Sequence, residues 1–162
     1  MIRTLSAGVM LVTFAVGPAA AQQSAPVPPA TYVSEAELLA VLQESIGGPQ
    51  SDANAQTVTA PPNNVLVNIG HRTKEGATMA GGMHADLIEV YHIIEGAATV
   101  VTGGTLVRPE GAPADSRPII QGGTAQRVTV GDVVVIPIGT PHTISEVERT
   151  LVFLNIRINP ME

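Results

Sequence analysis

An all-β domain of antiparallel strands with one short amino-terminal helix is the fold class this sequence predicts. Three observations predict it. From Val58 onward, short runs rich in Val, Ile and Thr recur, with Gly, Pro and Asn between them. Helical periodicity occurs once, ahead of these runs, and no crossover helix falls between any two of them. Strands that follow one another in this way pair antiparallel, and eight or nine of them in a chain of 162 residues make a sandwich or a barrel.

The elements follow in order. Residues 1–21 read as a secretory signal peptide: Arg3 is the single charge before Glu35, the apolar run Leu5–Gly17 comes next, and Ala19-Ala20-Ala21 offers small residues for cleavage after Ala21. That run is too short to span a hydrocarbon core of roughly 30 Å, so export to the periplasm or medium is expected, with no membrane contact after cleavage. Residues 22–33, rich in Pro, Ala and Gln, are an extended lead-in. Residues 34–48 are the helix. Ser34 and Glu37 form an S-x-x-E capping box, Leu38, Val41, Leu42 and Ile46 recur on one face, and Gly47-Gly48-Pro49 ends the turn.

The barrel domain is expected over 57–160. Its strand patterns begin at Val65, Ile88, Ala97, Gly104, Arg117, Gln126, Asp132, His142 and Leu151. Glu95-Gly96, Gly103-Gly104, Gly122-Gly123 and Gly131-Asp132 read as hairpin punctuation. Residues 132–138 are apolar on both faces, which predicts cover from two sides, by the partner sheet and by a second subunit or the helix. A homodimer is expected on that ground. Pro109–Arg117 reads as an exposed loop.

Composition excludes several functions. The formal charge is −6 and the only lysine is Lys74, so there is no basic run for nucleic acid. Without cysteine there is no disulfide, and stability rests on the packed core. No G-x-S-x-G, GxxxxGK[ST], GxGxxG, HExxH or CxxC is present, which leaves serine-hydrolase, nucleotide and zinc-peptidase readings unsupported.

The four histidines are 71, 84, 92 and 142. Gly131, Pro137, Gly139 and His142 stand in the spacing G-x5-P-x-G-x2-H, which closely resembles the second motif of the cupin superfamily, with Glu146 where that family carries Asn. Gly76, His84, Glu89 and Gly96 match its first motif, G-x5-H-x-H-x4-E-x6-G, except that Gly82 stands at the first histidine position. The resemblance covers Val65 to Ile158 and implies a small cupin: a double-stranded β-helix, or jelly-roll barrel. Carried over residue by residue, it implies His84, Glu89 and His142 as metal ligands.

Two imidazoles and one carboxylate suit Fe(II), Mn(II), Ni(II) or Zn(II), and ligand type alone does not select among them. His71 is a candidate for the vacant fourth place. Strand alternation puts His92 across the sheet from Glu89 and Tyr91, away from the site. Tyr91, on the face of Glu89, is the candidate catalytic residue as a proton carrier, or else a packed core tyrosine. Asn155 and Arg157 share one face of the last strand; Arg157 either receives a substrate carboxylate or points to solvent. Met79 and Met83 are expected at the pocket rim. Three readings follow: a divalent-metal enzyme of lyase, isomerase or dioxygenase type acting on a small oxygen-bearing molecule, a metal-free small-ligand binder, or a dimeric scaffold with a vestigial pocket.

Overall fold

Ser34 caps the helix as its spacing predicts. Its Oγ accepts from the Glu37 amide at 3.2 Å while the Glu37 carboxylate accepts from the Ser34 amide at 2.7 Å. Helix α1 spans Glu35–Ser45 in the computed structural model, which describes residues 28–161. The signal segment 1–21 and positions 22–27 of the lead-in lie outside the described residues. Leu42 is buried against Ile69 and Val152, with Leu38 and Val41 partly covered beside it. Burying Leu42 stabilises the docked helix by about 2 kcal/mol. Ile46 stands beyond the helix in extended conformation and is exposed, so the apolar face ends at Leu42.

Eight strands are present among the described residues. They are β1 (Gln50–Ala60), β2 (Asn63–Arg72), β3 (Ile88–Thr102), β4 (Thr105–Val107), β5 (Ile119–Gln121), β6 (Thr124–Thr129), β7 (Val133–Ile136) and β8 (His142–Pro160). The main sheet runs β1-β2-β8-β3-β6, with β7 also on β3, and β4 pairs β5 in a separate ribbon. All pairs are antiparallel. From Thr31 onward the chain is one unit, and this all-β arrangement of bent antiparallel sheets is a jelly-roll barrel.

Strand β1 carries no hydrophobic signal over Gln50–Thr57 and has no buried residue. Backbone pairing to β2 along its length holds it, with Asn54 Nδ2 donating to Asn68 Oδ1 at 2.9 Å. The sheet thus begins at Gln50, seven residues before the expected barrel start at 57.

The glycines expected in hairpins do other work. Gly96 lies inside β3, at φ +85°, where the register to β8 shifts on both sides of it. A Cβ there would collide with the Thr150 carbonyl oxygen, so only glycine permits the bulge. At this point β3 and β8 bend together: residues 88–95 pair with 152–158, and 97–102 pair with 142–149. Interior side chains from both halves, Tyr91, Ile93, Val100, Ile144, Leu151 and Phe153 among them, form one cluster. Gly131-Asp132 also makes no hairpin, because β6 and β7 both run antiparallel to β3. It is a step in one continuous edge, pinned by Gly131 N to Ile93 O at 2.9 Å and Ile93 N to Asp132 O at 3.0 Å.

Only one face of residues 132–138 is covered. Ile136 is buried in the barrel, whereas Val133 and Val135 are 59% and 60% exposed, and α1 lies over β1 and β2 instead. The expectation that the helix covers this strand therefore fails. Pro109–Arg117 is a loop, largely exposed. No helix among the described residues is long and apolar enough to cross a membrane.

Candidate metal centre

Alternation along β3 turns Glu89, Tyr91 and Ile93 into the barrel. Directly opposite on β8 stand Arg157, Asn155 and Phe153, whose side chains share that inner face. Glu89 is 1% exposed and is held from across the pair. Its Oε1 accepts from Asn155 Nδ2 at 3.0 Å and from Arg157 Nε at 2.9 Å. Its Oε2 faces the two imidazoles, with His142 Nε2 at 2.8 Å and His84 Nε2 at 3.5 Å.

Two further segments bring the histidines to this carboxylate. His142 opens β8, and its backbone exchanges hydrogen bonds with Gly82 at 2.9 and 3.1 Å. Thr143 Oγ1 shares its hydrogen between the carbonyls of Thr78 and Ala80. The Gly139 amide, in the tight turn after Pro137, donates to the His84 carbonyl at 2.8 Å. The two motif segments are thereby tied to each other at one mouth of the barrel. One atom each from His84, Glu89 and His142 lies within 4.8 Å of the others.

The chemistry of the donors fits a divalent cation. His142 Nδ1 lies 3.0 Å from the Thr140 carbonyl, which only accepts, so Nδ1 carries a hydrogen, and the ring when neutral presents a bare Nε2. That lone pair faces Glu89 Oε2, a buried oxygen that takes no hydrogen bond of acceptable geometry. Two acceptors at 2.8 Å repel unless a proton or a metal ion lies between them. A histidine oriented by a backbone carbonyl and a carboxylate fixed by an amide and a guanidinium are what a metal ligand set needs around it.

The electrostatics favour a positive charge at this contact, a proton as well as a metal ion. Burial alone pushes the Glu89 carboxyl up, but His142, Asn155 and Arg157 outweigh it and hold the pKa down to about 2. Burial pulls the His142 imidazole down, and the Glu89 carboxylate and Thr140 carbonyl more than reverse this, leaving its pKa raised. Burial, then the Glu89 charge, drives the Tyr91 phenol above its ordinary range, so it stays protonated.

Other sequence candidates fall in different places. His71 is not part of the group. Arg72 beside it stacks on Phe153 in the barrel, while His71 shares the opposite face of β2 with Ile69, on the α1 side, where it is buried with Nδ1 unpartnered. His92 is exposed. Tyr91 lines the cavity and packs on Phe153, ring centroids 4.8 Å apart. Arg157 belongs to the cavity wall rather than to solvent. Met83 lines the mouth and Met79 is exposed away from it. The cavity, about 290 Å³, also contains Arg117, which carried no sequence signal.

No family model matches the chain, and no curated protein is significantly similar in sequence. Among solved structures, 135 chains match. One, a Rhizobium leguminosarum protein of unknown function, is 12% identical over 83% of this chain and 100% of that one, with a TM-score of 0.52. Another is the cupin domain of Cnp3 from Schizosaccharomyces pombe, 11% identical over 69% and 66% of the two chains, with a TM-score of 0.45. The chain has the cupin fold. A further cupin-fold match is KdgF from a Halomonas species, 14% identical over 72% and 84%, with a TM-score of 0.48. At these identities the likeness concerns the barrel and not the chemistry performed in it.

Proposed function

We propose that this cupin is a divalent-metal-dependent enzyme of lyase, isomerase or dioxygenase type, acting on a small oxygen-bearing molecule. The carrying observation is the convergence of His84 Nε2 and His142 Nε2 on one buried oxygen, Glu89 Oε2, at 3.5 and 2.8 Å, a three-donor set of the kind that holds a divalent cation. His84, Glu89 and His142 would hold the metal, leaving coordination positions open. Bound there, Fe(II), Mn(II), Ni(II) or Zn(II) supplies Lewis acidity toward a substrate oxygen or a site for dioxygen.

The protein groups have separable parts. Asn155 and Arg157 fix the Glu89 carboxylate, and Thr140 fixes the ring plane of His142. Tyr91, kept protonated, is a hydrogen donor in the cavity wall and the candidate proton carrier. The small cavity limits the substrate to a small molecule.

Metal analysis of the purified protein, with melting curves after EDTA and after each of the four ions, tests this. A hundredfold excess over Kd stabilises by about 2.7 kcal/mol. If no ion raises the melting temperature and the protein carries none, the second reading takes over: a metal-free binder. Gly82, which leaves three ligands in place of four, favours that reading. We further propose export after cleavage at Ala21 and self-association through the exposed edge of β7; mass spectrometry of the exported chain checks the first.

A further inference from the structure

Three of the chain's eight basic residues, Arg72, Arg117 and Arg157, line one cavity of a protein whose net charge is −6. Their positions differ in what remains to be done. Arg72 is spent: Nη2 pairs with Asp52 at 2.5 Å, Nη1 donates to the Ser51 and His71 carbonyls, and the guanidinium stacks on Phe153. Arg157 gives Nε to Glu89, and its Nη groups make no hydrogen bond to the protein among the described residues. Arg117 has no hydrogen bond and no ion pair there at all.

Arg117 is nonetheless in a defined place. It ends the 109–117 loop where the chain rejoins β5, and that junction is fastened to the motif segment: Gly81 N donates to Pro118 O at 2.9 Å, and Ala80 bridges to Ile119. Gly81 itself is wedged against Ile120 and Leu106, where a Cβ would be at 2.6 and 2.8 Å. At Gly82, the position of the vacant ligand, the one heavy atom within 4 Å of an added Cβ is Arg117 Nη2, at 3.8 Å. A guanidinium thus borders the space that a ligand side chain would enter.

We propose that Arg117 is the specificity residue for a carboxylate-bearing substrate. Its guanidinium receives the carboxylate, with the Nη groups of Arg157 on the same cavity wall, while the substrate's remaining oxygen reaches the centre of His84, Glu89 and His142. Arg117 is exposed at the cavity mouth; its planar fork of donors matches a two-oxygen carboxylate edge, and a guanidinium with no partner among the described residues favours an anion over its neutral isostere. The proposal deepens the metal-enzyme reading and rests on it for the role of the second oxygen.

Calorimetric titration of the protein from the full-length chain decides it, in EDTA-treated and Ni(II)-loaded forms. The probes are glycolate, malonate and succinate, the amides glycolamide and malonamide, and inorganic phosphate. At least one carboxylate should bind, its amide should not, and Arg117→Gln should weaken the carboxylate about tenfold in both forms with Ni(II) affinity unchanged. Binding of no carboxylate, equal binding of an amide, preference for phosphate, or indifference to Arg117→Gln overturns the proposal. So does loss of Ni(II) affinity in that variant. Failure of Fe(II), Mn(II), Ni(II) and Zn(II) alike to bind wild type overturns the metal-enzyme reading alone, and the EDTA-treated arm still decides Arg117.

Discussion

Asn155 reaches Glu89 from the adjacent strand, Nδ2 to Oε1 at 3.0 Å, with both residues 1% exposed. The amide helps aim Oε2 at the imidazoles while offering the centre no ligand of its own. Asn155→Ala should therefore weaken Ni(II) binding by about 10- to 100-fold. It should also cost about 1–3 kcal/mol of stability. Equilibrium titration and chemical denaturation read the two separately, and unchanged metal affinity would show that Arg157 alone orients the carboxylate.

The two buried histidines should behave oppositely. His142→Ala and Glu89→Ala each leave two ligands and should abolish metal uptake. His71→Ala should keep it, because that side chain is on the α1 side of β2, and exposed His92 should be equally dispensable. Metal content of the four variants checks this; loss of metal in His71→Ala would mean that β2 is read in the wrong register.

Acid should weaken the metal-free protein through Glu89. Its pKa is depressed from 4.5 to about 2, so its contribution is present above 4.5 and is lost as pH falls toward 2. The size is about 3 kcal/mol. His142, raised by the same contact, adds stability below its unfolded value of 6.5 that is lost as pH rises through the folded value. Denaturation midpoints of Glu89→Gln should vary less across both windows than those of wild type.

Much of this centre was legible because its signals are local. Fixed spacing marked His84, Glu89 and His142, and period-two alternation put Tyr91 with Glu89 and His92 opposite, as the burial pattern shows. The same alternation grouped Asn155 with Arg157 but could not say which face was inward, since that depends on pairing with β3. Gly96 read as a turn because bulge and turn both require positive φ. Gln50–Thr57 was invisible because an edge strand without buried residues leaves no hydrophobic period. Arg117 lies at a loop end, where position is set by the distant Ala80–Gly82 segment and no periodicity exists.

The outer edge of β7 should mediate pairing of two copies. It carries Val133 and Val135 exposed, with Val130 and Ile138 exposed beside it, and among the described residues it is bonded on one side only, to β3. An apolar edge strand is a template for a further strand. Light scattering should give a dimer, and Val133→Lys with Val135→Lys should give a monomer of unchanged melting temperature at low concentration. A monomeric wild type overturns the prediction.

Restoring the absent ligand should trade one specificity for another. Gly82 has a φ that any residue adopts, and its Cβ direction is open except for Arg117 Nη2 at 3.8 Å, ordinary contact distance. Gly82→His should therefore fold without strain and place a third imidazole beside His84, Glu89 and His142. A fourth protein ligand should tighten Ni(II) binding by at least about tenfold, corresponding to about 1.4 kcal/mol. The new ring enters the space Arg117 borders, so carboxylate affinity should fall in the same variant. Paired Ni(II) and malonate titrations read both effects. Tighter Ni(II) binding with malonate affinity intact would separate Arg117 from the vacant position, and unchanged Ni(II) binding would show that the His84 segment does not present Gly82 to the metal.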